Sequence, residues 1–80
     1  MSTPVSWLMI EPGWRVKSAD GQEVGRVREV RGDLDADIFD GLTVESGPLV
    51  RRYVPAEQVG DIFDERVTLK LDRAGFEALG

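Results

Sequence analysis

Eighty residues with a net charge of −5, no cysteine and no histidine describe one small acidic domain, with no disulfide, no thiolate metal site and no Ser–His–Asp triad. A chain this short buries only about 60–65% of its unfolded surface, so the core must be thin. Nothing approaches the run of ~20 apolar residues that a membrane helix needs, and the N-terminal residues lack the basic start and apolar stretch of a signal peptide, so the cytoplasm is the expected location.

Residues 1–9 read as an N-terminal arm and residues 10–80 as one domain. Trp14-Arg15-Val16-Lys17-Ser18 alternates apolar and polar with period two, which marks a half-buried strand. Asp20-Gly21 follows as a hairpin signal, because Gly takes φ > 0 without steric cost. A second strand is expected over 23–31. Its Val24, Val27 and Val30 are three apart and change parity twice, so a flat strand would send them to alternate faces. A bulge or tight coil at Gly25 would bury both phases in a strand that wraps round a small barrel.

Residues 32–37 form a polar, acidic loop, and Ile38 to Glu45 a third strand. Ser46-Gly47-Pro48 is a turn. Leu49 to Val54 is a fourth strand, ended by Pro55, which has no N–H for the ladder. Residues 56–59 suit one helical turn, and residues 60–64 a fifth strand around Ile62 and Phe63. In residues 66–71, Val67, Leu69 and Leu71 face in, while Arg66, Thr68 and Lys70 face out. Asp72 can cap a short C-terminal helix that packs Phe76 and Leu79 on the core. Five or six short strands with regular turns favour an antiparallel barrel or small sandwich, and closure removes exposed edges.

Three ordered segments carry a family resemblance: Ile10-Glu11-Pro12-Gly13-Trp14-Arg15-Val16 with Ser18-Ala19-Asp20-Gly21-Gln22-Glu23-Val24-Gly25-Arg26-Val27, then Tyr53-Val54-Pro55-Ala56-Glu57-Gln58-Val59, then Val67-Thr68-Leu69-Lys70-Leu71. Over residues 10–79 this pattern resembles the PRC-barrel superfamily, and within it the short stand-alone bacterial members without an assigned function. The resemblance implies an all-β, six-stranded antiparallel barrel with a short C-terminal helix, and a role in binding other proteins. It brings no shared catalytic residues. Some members act through an RNA-contacting N-terminal domain or a transmembrane helix. These residues contain neither, so neither activity is expected to carry over.

The acidic loop Asp33-Leu34-Asp35-Ala36-Asp37, with Asp40 close behind, offers hard oxygen ligands for Ca²⁺ or Mg²⁺. It misses the calcium-loop pattern: counted from Asp33, Ile38 stands where that loop needs Gly and Val44 where it needs Glu. Arg26, Arg28, Arg31, Arg51 and Arg52 could form a basic face with Tyr53 as a stacking aromatic, yet residues 32–65 hold nine acids and a pI near 4.6 disfavours nucleic acid. No carboxylate pair stands out for acid–base catalysis, and small barrels are filled by their own side chains, so no enzyme and no cofactor are expected. Two Trp, three Phe and one Tyr exceed what so small a core can enclose, which leaves aromatics at the rim. The expected function is therefore a non-enzymatic protein-interaction module, a homodimer or a binder of other proteins. Trp7, Leu8, Met9, Phe39, Tyr53 and Phe63 form its interface. The alternatives are a divalent-metal or small-ligand module using loop 33–40, and an RNA- or ribosome-associated accessory.

Overall fold

Alternating apolar residues lay down six strands in the computed structural model, which describes residues 6–79. They are β1 (Arg15–Lys17), β2 (Glu23–Asp33), β3 (Ile38–Gly47), β4 (Val50–Pro55), β5 (Val59–Phe63) and β6 (Arg66–Leu69). One helix, α1 (Arg73–Glu77), follows, and single 3-10 turns occupy Trp7–Met9 and Ala56–Gln58. The strands form one sheet in the order β4-β3-β2-β1-β6-β5. Within the proposed N-terminal arm, residues 1–5 lie outside the described residues, as does Gly80.

Two features depart from the expected closed antiparallel barrel. β1 and β6 pair in parallel, Val16 opposite Val67, so the sheet is mixed. Moreover, no ladder joins β4 to β5 among the described residues, and the sheet stays open there. Both departures have one cause. Every neighbouring pair except β1–β6 is antiparallel, so β4 and β5 run in the same sense. Parallel neighbours need a crossover of about a dozen residues or more. Only the three residues Ala56–Gln58 separate these two strands. They behave as one strand broken by a turn, and cannot zip together.

The parity problem in β2 is solved by bulges on both sides of Gly25. Val16 lies opposite Gly25 and Lys17 opposite Glu23, which leaves Val24 as an extra residue against β1. Val27 lies opposite Val44 and Glu29 opposite Thr43, which leaves Arg28 as an extra residue against β3. The second bulge restores phase: Val27 and Val30 both face the core, opposite Val44 and Leu42. Gly25 itself permits a close approach of β3. A Cβ there would lie 2.9 Å from Val44 Cγ1 and closer still to the Glu45 carbonyl oxygen.

One face of the sheet holds the core: Ile10, Trp14, Val16, Val27, Leu42, Val44, Val54, Val59, Val67, Leu69 and Phe76. Each such buried side chain contributes about 1.5–3 kcal/mol relative to exposure. Phe76 arrives from α1, whose first turn is capped by Asp72 Oδ1 accepting from the Gly75 N–H at 2.7 Å. At the β1–β2 turn, Gly21 takes φ +83° and its N–H donates to the Ser18 carbonyl at 2.9 Å. The buried Ser18 hydroxyl bonds the Asp20 carboxylate, so its polar atom is satisfied. Leu49, expected in β4, instead occupies the β3–β4 turn with φ +65°. Leu71 falls just beyond β6 and is half-buried.

Candidate protein interface

The N-terminal turn Trp7–Met9 lies across the far end of the β2–β3 hairpin, and each contact there has a local cause. Ser6 caps the turn, its Oγ accepting from the Leu8 N–H at 3.2 Å and its carbonyl from the Met9 N–H at 2.9 Å. The Trp7 ring stacks on Phe39, with centroids 5.2 Å apart and planes 14° from parallel. Gly32, opposite Phe39 in the ladder, makes room: a Cβ on it would lie 2.9 Å from the Trp7 ring. The indole N–H donates to Asp37 Oδ1 at 2.9 Å. An aromatic stack plus a charge-assisted hydrogen bond fixes this ring in place.

With Trp7 pinned, the residues on either side of it face outward. Leu8 is 47% exposed, Met9 58% and Leu34 71%. Leu8 and Leu34 flank a cleft of about 250 Å³ floored by Trp7, Ile10 and Val30. Leu34 escaped sequence reasoning because it is embedded among aspartates. Its signal was there, a lone large apolar residue in a loop that solubility alone would keep polar.

The other proposed interface residues lie elsewhere. Tyr53 belongs to β4 opposite Thr43, and its hydroxyl donates to Asp40 Oδ2 at 2.5 Å. That hydrogen bond, then desolvation and the Asp40 charge, push its phenol up to about 12. Phe63 ends β5, where the Arg66 guanidinium lies 4.7 Å from its ring centroid. Trp7, Leu8, Met9 and Phe39 thus come together, while Tyr53 and Phe63 do not join them.

The acidic loop has internal work. Asp33 Oδ1 accepts from the Asp35 N–H at 3.0 Å and the Ala36 N–H at 3.2 Å, an Asx turn, and Asp37 holds the indole. No three His, Cys, Asp or Glu side chains come together in a metal-holding group among the described residues. The arginines considered as one basic face are divided. Arg28 and Arg51 share Glu45, at 3.8 and 3.4 Å, and Arg31 meets Glu29 at 3.7 Å. Arg52 points to the core side, over the Phe76 ring at 5.5 Å. No helix among the described residues is long and apolar enough to cross a membrane. Compared with family models and with curated proteins, the chain matches none.

Proposed function

We propose that the chain is a PRC-barrel-like, non-enzymatic protein-interaction module that self-associates through the apolar surface of Leu8, Met9 and Leu34. Its family placement rests on the three ordered sequence segments. Its interface rests on one observation: a buried-type aromatic stack, Trp7 on Phe39, is used to hold neighbouring large apolar side chains out in solvent. Scattered exposed leucines need no explanation, but a rigidly presented cluster around a cleft does.

A second copy of the chain is the favoured occupant, because a twofold contact sets each patch against its own match and covers both at once. Sedimentation equilibrium over a wide concentration range tests it. A mass rising from 8.9 kDa towards twice that value supports the module. A constant 8.9 kDa removes self-association from the proposal. Replacing Leu8 and Leu34 is the informative change, since Trp7 also supports the fold and its removal would confuse two effects.

A further inference from the structure

Strand register assembles a charge pattern that no single strand displays. One lateral row crosses all six strands: Arg51 of β4, Glu45 of β3, Arg26 of β2, Arg15 of β1, Arg66 of β6 and Phe63 of β5. At one end Glu45 takes ion pairs from Arg51 at 3.4 Å and Arg28 at 3.8 Å. In the centre, Arg26, Arg15 and Arg66 are direct neighbours with no acid between them. Adjacent strands lie about 4.8 Å apart, and like charges set directly opposite one another destabilise a sheet. Lys17, two residues along β1, lies on the same side as Arg15 by strand alternation.

This run of like charge persists in a chain of net charge −5, where acids to neutralise it are plentiful. Elsewhere in the sheet Arg28, Arg31 and Arg51 are matched with carboxylates. Here only Arg15 is, with Glu23 at 3.5 Å; Lys17, Arg26 and Arg66 form no ion pair among the described residues. Each guanidinium is nonetheless held. Arg66 lies over the Phe63 ring, and Arg26 donates through Nη1 to the Gly13 carbonyl at 3.2 Å. A guanidinium has five N–H donors, so each of these anchored groups keeps free donors to offer. The three arginines and Lys17 line a groove of about 480 Å³, shared at one end with Asp64 and Glu65.

We infer that this groove on the face of β2, β1 and β6 away from the core binds a single phosphate group of a small phosphorylated molecule. Guanidinium forks match phosphate oxygens in geometry, and a dianion offsets the repulsion that the row builds up. The acids bounding the row decide against an extended polyanion. Asp64 and Glu65, which line the groove and form no ion pair among the described residues, would repel a nucleic-acid backbone running past the site. The groove is at the opposite end of β2 from the Trp7 surface, and the inference does not depend on self-association.

Amide shift mapping of the full chain, titrated separately with inorganic phosphate and adenosine 5′-monophosphate at constant ionic strength, tests the site. Saturable shifts at Arg15, Arg26 and Arg66 that chloride does not reproduce are expected. Arg15→Gln and Arg66→Gln, each with an otherwise unchanged spectrum, should weaken phosphate binding by about tenfold or more. Arg26→Gln serves the same end if either unfolds. Tighter binding of the nucleotide points to a phosphorylated metabolite, and equal binding of inorganic phosphate to the free anion. Shifts equalled by chloride, or phosphate affinity unchanged in the variants, would overturn the site. A single-stranded oligonucleotide binding more tightly than either probe, with a salt dependence of several phosphates, would replace it with a nucleic-acid surface.

Discussion

Substituting Leu8→Glu together with Leu34→Glu should dissolve the proposed dimer, and the structure sets the scale. Full burial of a leucine or methionine is worth about 1.5–3 kcal/mol. Leu8, Met9 and Leu34 are 47%, 58% and 71% exposed, so covering their remaining surface yields about 3–5 kcal/mol per protomer. A twofold contact counts that gain twice, about 5–10 kcal/mol, against an association cost of about 4–15 kcal/mol. The most favourable balance is about −6 kcal/mol, which places the dimer in the weak regime, with a Kd no tighter than about 0.04 mM. The two leucines supply most of the exposed area, and the substitution brings four new carboxylates together, so dissociation should increase at least about a hundredfold. Sedimentation equilibrium from about 0.02 to 2 mM spans the transition. Salt provides an independent sign. Asp33 and Asp35 flank Leu34 in the chain, so a contact that buries Leu34 of both protomers brings four carboxylates to the interface, and screening should tighten the dimer rather than loosen it. Wild-type protein that stays at 8.9 kDa throughout, or a double variant that associates as well as wild type, refutes the reasoning.

Three further outcomes follow from particular contacts. Gly25→Ala forces a Cβ against the Glu45 carbonyl and Val44 and should cost about 1–3 kcal/mol, seen as a midpoint lowered by about 4–8 °C per kcal/mol in a thermal melt; undiminished stability would show that β3 does not approach so closely. Leu49→Gly should stabilise by about 0.5–1 kcal/mol in denaturant titration, since it relieves φ +65° at a side chain 96% exposed that loses no packing. Tyr53, the one tyrosine, should titrate by ultraviolet difference absorbance near 12. Because its folded value lies above the unfolded value of about 10, its stabilising contribution is full below pH 10 and is lost as pH rises towards 12; Asp40→Asn should bring the midpoint down.

Much of this architecture is legible in residue order, for reasons that differ along the chain. Strand β6 reads cleanly because Val67 and Leu69 face one continuous core while Thr68 does not, and period two survives intact. The Asp20-Gly21 turn and the Asp72 cap read equally well, because their hydrogen bonds close within four residues. In β2 the valine spacing shows that something must break phase, but not where. The breaks fall at Val24 and Arg28, set by which strand lies on each side, and Gly25 between them serves the close approach instead. The parallel β1–β6 pair is illegible locally, since no residue in either strand encodes the direction of a neighbour about fifty positions away.

The candidate sites show the same division between local and lateral information. Trp7, Leu8 and Met9 stand out because an apolar run interrupts the strand pattern, and the turn that presents them is local. Leu34 joins them only through the fold of the β2–β3 hairpin. The arginine row is more remote still. A pI near 4.6 describes the total charge and argues against anions, yet an anion meets the local field, within a Debye length of about 10 Å. Strands 50 residues apart in sequence are adjacent in that field: Arg15 and Arg66 are ladder partners. The acids lie outside β1 and β6, which carry Arg15, Lys17 and Arg66, and this segregation appears only when each strand is written beside its partner rather than after its predecessor.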